Sequence, residues 1–534
     1  MMTFRRHPPV LYAIALAIFS LTAILPVGYM LTQFVISLLQ QPSTITKMTF
    51  DTRQLILLSR SLAIASSATM VALALGLPTA IILAAKDLPL RKLFHFLVLI
   101  PVLIPSYVMA GAWLHLLSPS GFINQSLTNW FGPSARISLP SAMGCVWCLG
   151  ISFFPVIAII VATGLSELDS NLTDIARLST NRLGVFRHAI LPQILPHLSA
   201  SICLVTIFVL AQYGVPSLLG INTYPVEIFA QFSAFYDDNG AVATALPLIL
   251  LVVVLILLQR QIMRNRTYVR IMPSSETAGP IKMNNLKNYA VTFLIAMFVI
   301  TTVLPFFSVL IHAQSFTKIW HTLRSFDDSI LTTSLLALSA AVISTLIAFP
   351  IGHYLAHNSG RFNRLIDLLC WLPIAIPGTI IGLGLIKLAN GVPLLRKGDS
   401  LGILLLLAYI GMFSAFSIRI FEASCRSADP NVTEAAAIDC PRWYHSLFHI
   451  DIPIHSGAIA VSLIVVFVLV AGELNATVLL IPPGKATLAV AIDNLLHYGA
   501  NATASALCLI EAGFVIFAIT CGLFMFTATK RILS

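Results

Sequence analysis

Residues 245–258 read ALPLILLVVVLILL, fourteen positions without a charge, flanked by Ala241–Thr244 before and Gln259-Arg260 after. A strand of a transmembrane barrel would alternate apolar and polar residues at every second position. A continuous run of this kind fits a helix whose whole circumference faces apolar surroundings. The rest of the 534 residues extend that reading. They are 58% hydrophobic and only 10% charged, with mean hydropathy +0.92, whereas soluble domains carry roughly a quarter charged residues. So apolar a chain has too few polar side chains to cover a surface in water. In lipid the backbone must satisfy its own hydrogen bonds, which leaves the helix. The fold class expected is all-α and polytopic.

Apolar segments of about 20 residues, the length that crosses a bilayer, fall near 10–33, 61–85, 93–117, 139–164, 198–219, 240–260, 289–311, 332–356, 365–388, 401–421, 457–479 and 504–528. With a cytoplasmic N-terminus, 20 of the 31 basic residues lie on inside loops, among them Lys86, Arg91, Lys92, Arg264, Arg361, Arg364 and Arg426. That bias follows the positive-inside rule and places both termini in the cytoplasm. The net charge of +10 is thereby a matter of topology, and no nucleic-acid partner is expected. The first apolar segment is too long for a signal-peptide core and reads as a retained span. Most cysteines fall inside spans as small apolar residues. Cys145 and Cys148 have redox or zinc spacing but no second pair or His cluster follows them, so packing is the reading.

The chain repeats itself. Pro101 and Pro105 in the third segment recur as Pro373 and Pro377 in the ninth, and Pro78 recurs as Pro350, all 272 positions on. Pro192 and Pro453 stand 261 apart, as do Gln212 and Glu473. The expected organisation is a first six-span repeat over 1–263, a cytoplasmic linker over 264–288 and a second repeat over 289–534. An even number of spans makes the repeats parallel, related by an axis along the membrane normal. The paired prolines are expected to kink their helices. No GxxxxGK[ST] loop occurs, so the chain has no phosphate-binding loop of its own.

Between the fourth and fifth spans of each half lies a patterned loop. In the second half Glu434, Ala435, Ala436 and Cys440 lead to Ile450 and Pro453; in the first, Asp174, Ile175, Ala176 and Thr180 lead to Leu191 and Pro192. Each reads as a short helix with a cap before it (Asp429 or Asn431, and Asn171 or Thr173). A turn, a second amphipathic piece and a proline that opens the next span follow. The second loop resembles the EAA motif of binding-protein-dependent ABC importer permeases. Glu434, Ala435, Ala436, Ile450 and Pro453 stand at the family spacing, and Cys440 takes the place of its usual Gly. The first copy is more divergent.

That resemblance implies a type I ABC importer permease fold of about 12 transmembrane helices in the inner membrane of a bacterium. It implies two partners, a separate ATP-binding cassette subunit (a homodimer) and a soluble solute-binding protein. The loops Asp174–Thr180 and Glu434–Cys440 would then dock on the ATPase, with Pro192, Ile450 and Pro453 shaping the dock. No cofactor, catalytic residue or resident metal is expected on this chain, and ATP would be used by the partner. The fused two-copy layout resembles ferric-iron type permeases, with relatives for thiamine and phosphonates. From the residues themselves, Glu473 and its counterpart Gln212 are candidates for the translocation pathway, because ionisable groups within spans are costly. A carboxylate there suits a cation such as iron; the competing reading makes Glu473 a helix cap or a bond to a neighbouring span. Glu511 is expected to hydrogen-bond between helices and His115 to mark the interface. An ion-coupled secondary transporter, which can also have twelve spans in two halves, gives no reason for the two loops to match.

Overall fold

A computed structural model describes residues 9–40, 52–168, 175–176, 178–264, 283–392, 402–429, 431, 443–499 and 501–533. The described residues are helical, with nine helices long and apolar enough to cross a membrane and three further bent pairs that bring the spans to twelve. Every one of the twelve segments read from the sequence overlaps one of these, although 198–219 and 457–479 run past the helix ends at Leu210 and Ala471.

The first half contains α1 (Val10–Ser37), α2 (Thr52–Ala84), the pair α3 (Arg91–Leu103) and α4 (Ser106–Leu116), then the short α5 (Phe122–Phe131). It continues with α6 (Ala142–Ser166), α7 (Leu183–Leu210), the short helices α8 (Gly214–Leu218) and α9 (Tyr224–Ser233), and α10 (Asp238–Ile262). The second half has α11 (Lys287–His312), a short amphipathic α12 (Phe316–Ser325), α13 (Asp327–His357), and the pair α14 (Arg361–Ala375) and α15 (Gly378–Gly391). It ends with α16 (Ile403–Ser427), the pair α17 (Trp443–Ile454) and α18 (Ser456–Ala471), short α19 (Thr477–Leu480) and α20 (Leu488–His497), and α21 (Ala502–Gly522). The order in the second half retraces the first.

Even the irregularities repeat. A single π-helical turn interrupts α1 at Ser20–Ile24 and α11 at Val299–Val303. Another lies at Phe186–Ile190 in α7 and at Leu447–Asp451 in α17. The second pair sits just before Pro192 and Pro453. A proline has no N–H to give and crowds the carbonyl four residues back; a widened turn removes that clash and lets the helix continue. Pro192 therefore does not open a new span, as the sequence suggests. The amphipathic piece and the span are one helix from Leu183 to Leu210, whereas in the second half they bend by 72° between Ile454 and Ser456.

The paired prolines do more than kink. α3 and α4 meet at 88°, and α14 and α15 at 101°. Ile104 and Ile376, each preceding the second proline, are extended (ψ 131° and 123°), the conformation that the proline ring imposes on its predecessor. The helix stops there and restarts in a new direction.

The halves are interlocked. α1 packs mainly on α13, α15 and α16 of the other half, and α11 packs on α3 and α4 as well as on α21. Within each half the tightest pairing is α2 with α6, and α13 with α16. Small residues make close approach possible: Gly76 sits against Ile157, and Gly352 against Phe421 and the backbone of Glu422.

Candidate functional site at the meeting of the broken helices

Four chain breaks converge between the halves: those before Pro105 and Pro377, and those after Leu210 and Ala471. They surround a cavity of about 200 Å³. Its walls come from both halves in matching places, Val102–Tyr107 with Pro373–Gly378, and Phe208–Gly214 with Val468–Asn475. Lipid-level helices tolerate such open backbone only where protein or a cavity covers it.

Gln212 and Glu473 both lie on this wall, as their shared offset leads one to expect, but they are held differently. The Ser106 hydroxyl donates to Gln212 Oε1 at 3.0 Å. Glu473 accepts the backbone N–H of Ala476 at 2.9 Å and of Thr477 at 3.0 Å, and the Thr477 hydroxyl as well. It caps α19, with both carboxylate oxygens occupied, and is 4% exposed. The residue opposite Glu473 in the second half is Gly378, where Ser106 stands in the first. A Cβ at Gly378 would lie 3.0 Å from Glu473 Oε1 and 2.8 Å from Met412 Cε.

At one end of the cavity the halves touch. The Tyr213 backbone N–H donates to Asn475 Oδ1 at 2.9 Å. Gly214 lies against Leu474 and Tyr107, and Gly472 against the Pro105 ring. Toward the other end the wall becomes aromatic. Phe153 and Phe208 have ring centroids 5.7 Å apart, Phe208 and Phe416 6.3 Å, and Phe416 and Phe413 6.4 Å. The Phe208–Phe416 contact joins the two halves. The cavity thus has a polar rim and an aromatic floor.

Other expected contacts are in place. The Tyr107 hydroxyl, from the first half, donates to Glu511 Oε1 of the second at 2.7 Å, with Glu511 fully buried. His115 of the first half stacks on His312 of the second at 4.2 Å and lies 3.3 Å from the Ser505 hydroxyl, a contact between the halves. Cys145 and Cys148 are buried and unbridged.

The loop residues are partly outside the described set: Asp174, Glu434, Ala435, Ala436 and Cys440, with Asn171 and Thr173, lie beyond it. Ile175 and Ala176 are helical, and the Thr180 N–H closes that turn on the Ala176 carbonyl at 3.0 Å. Ile175 is 60% exposed and Leu178 90%. Asp429 Oδ1 accepts the N–H of Asn431 at 2.9 Å. Ile450 lies in the π turn of α17, and Pro453 in the α-helical residues that follow it. Sequence reading missed Ser106, Tyr107, Asn475 and the aromatic floor. Ser106 and Tyr107 directly follow the second proline of a PxxxP pair, which is the one signal that could have marked them.

Residues 76–268 match a known family, the binding-protein-dependent transport system inner membrane component. The match falls on the first half, where the loop motif is the more degenerate of the two. Among similar curated proteins, a ferric transport system permease protein of Actinobacillus pleuropneumoniae is 22% identical over 448 residues, which cover 79% of this chain and 64% of that protein. An Fe(3+)-transport system permease protein of Haemophilus influenzae is 20% identical over 457 residues, 83% of this chain and 84% of its own length. A spermidine/putrescine transport system permease protein of Escherichia coli K12 is 30% identical over 170 residues, 30% of this chain and 60% of its own.

Proposed function

We propose that the chain is the membrane-spanning permease subunit of an ATP-driven importer, both halves forming one translocation route through the cavity. The observation that carries the proposal is the cavity itself: it lies between the halves, at the converging breaks, and rocking one half against the other would open either end. Gln212 and Glu473 both line its wall, which supports reading them as pathway residues. The ferric transport relatives, similar over most of the chain, favour ferric iron as the solute; the phosphonate and spermidine permeases among the relatives make other small solutes the alternatives. A soluble binding protein would deliver the solute at the polar rim. A separate ATP-binding subunit would dock on the loops at 167–197 and 427–456, where Ile175 and Leu178 already offer apolar side chains beyond the span. The termini would lie in the cytoplasm.

Co-purification with an ATP-binding subunit, followed by ATPase and transport assays of wild type and Glu434→Lys, tests this. The variant is expected to lose solute-stimulated hydrolysis while still reaching the membrane. Transport that continued with no ATPase partner present would overturn the reading. The more divergent first loop should matter less, so Asp174→Lys is expected to impair coupling by a smaller factor than Glu434→Lys.

A further inference from the structure

The cavity wall does not stop at the aromatic floor. On α16, Met412 and Phe416 line the cavity, and Arg419, Ala423 and Arg426 continue the same face at helical spacing. On α14, Ile374 lines the cavity, and Trp371, Asp367 and Arg364 continue its face toward the same end. These residues wall a second pocket of about 460 Å³, with Asn363 and Glu422. It lies further along α14 and α16 than Ile374 and Phe416 of the cavity wall, toward the helix ends at Arg361 and Ser427.

Its chemistry is that of a guanidinium cluster. Arg419 is fixed: it lies over the Trp371 ring at 4.5 Å, and its Nη1 reaches Asp367 Oδ1 and Glu422 Oε2 at 2.6 Å each. Arg426 meets Glu422 at 2.6 Å, and Arg260 from α10 of the first half meets Asp367 at 3.3 Å. The two acids are therefore shared among three arginines. Among the described residues Arg364 has no acidic partner, and its Nε only approaches the Gly360 carbonyl at 3.5 Å. The buried Arg419 Nε and the Asn363 Oδ1 are without hydrogen-bond partners. Positive charge and guanidinium donors are left over, in the planar geometry that suits phosphate and carboxylate groups. At the 261 offset, Arg419, Glu422 and Arg426 correspond to the apolar Ala158, Val161 and Leu165 of the first half.

We infer that this pocket is a binding site for an oxyanion group, phosphate, phosphonate or carboxylate, carried by the solute as it leaves the cavity. The inference rests on the cavity being the solute's route, and it gives the solute a chemical class. Glu473, with both oxygens committed to capping α19, does not supply a free cation ligand in the cavity. A ferric solute would pass this site together with oxyanion ligands.

The test uses the full chain, purified in a neutral detergent, with inorganic phosphate and citrate as probes and chloride at equal ionic strength as the control. Saturable binding followed by equilibrium dialysis is expected for wild type. It should weaken at least tenfold in the double variant Arg364→Ala/Arg426→Ala; both side chains are exposed and their loss leaves the fold in place. Binding no better than chloride, or unchanged in the double variant, overturns the inference. So does a third outcome, in which free phosphate and citrate fail but phosphatidylglycerol nanodiscs raise the thermal midpoint through Arg364 and Arg426, because the occupant is then a lipid headgroup. Failure of the route itself reads out separately: a cysteine at Gln212 would not be protected by solute during transport, whatever the phosphate result.

Discussion

The backbone N–H of Tyr213 and the side-chain carbonyl of Asn475 meet at 2.9 Å across the boundary between the halves. Tyr213 lies one residue past Gln212 and Asn475 two past Glu473, so the bond fastens the two breaks to each other beside the cavity. A backbone N–H can only donate, which fixes Asn475 with its oxygen toward Tyr213. A transporter that alternates must break this bond whenever that end opens. Asn475→Ala removes an interaction worth about 1 kcal/mol, roughly a fivefold shift in an equilibrium between closed and open ends. In a background without the eight native cysteines, a cysteine at position 212 should react several-fold faster with an impermeant thiol reagent added outside once Asn475 is Ala. An unchanged rate would mean that the contact does not hold the end shut.

Glu473 separates two roles by experiment. As a cap, its carboxylate satisfies two backbone N–H groups and a hydroxyl, and an unsatisfied buried donor costs about 1–3 kcal/mol. Glu473→Ala should therefore lower the thermal midpoint and the yield markedly. Glu473→Gln keeps one carbonyl acceptor and should fold with a smaller loss and retain part of its transport. Full loss of transport at an unchanged midpoint would instead assign the charge to the solute.

The sequence made the spans and their duplication legible because both are written in composition and in proline spacing. A twenty-residue apolar run has no other stable use, and Pro101, Pro105, Pro373 and Pro377 mark their own positions. Hydropathy carried the segments 198–219 and 457–479 too far, since the chain beyond Leu210 and Ala471 stays apolar while glycine, proline and asparagine end the helix. That is why Gln212 and Glu473 looked like residues within spans and are found in the breaks between helices. The exchange of α1 and α11 between halves was not legible, because an all-round apolar helix bears no mark of its neighbour. The charged ladder at Arg419 was hidden for a different reason. Its members come from α10, α14 and α16, and only the fold brings them together.

Gly472 tests how closely the halves must approach. A Cβ there would run into the Pro105 ring, and that ring belongs to the break that turns α3 into α4, so it has little room to give. Gly472→Ala should force the breaks apart, with an overpacking cost of about 1–3 kcal/mol, and Gly472→Val should cost more. The expected readout is a graded fall in thermal midpoint accompanied by loss of solute transport. Wild-type behaviour in Gly472→Val would show that the break at Pro105 moves freely.

Asp493 offers a pH dependence of defined sign. It lies on the short α20, outside the spans, 5% exposed, with Oδ1 3.5 Å from His497 Nδ1 and no hydrogen bond to that oxygen. Tyr107 and Tyr213 are its other titratable neighbours. Burial pushes its carboxyl up to about 6, against the opposing pull of His497. An unfolded aspartate titrates near 3.9, so between about pH 4 and pH 6 the folded chain holds the proton that the unfolded chain has released. Stability contributed by this group is therefore complete below about pH 4, falls as pH rises to about 6 and is level above, a change of up to about 3 kcal/mol. Asp493→Asn removes the titration. Its thermal midpoint in detergent should match wild type near pH 4 and exceed it by several degrees at pH 7. A lower midpoint for the variant at pH 7 would show that the pairing with His497 outweighs the cost of burying the charge.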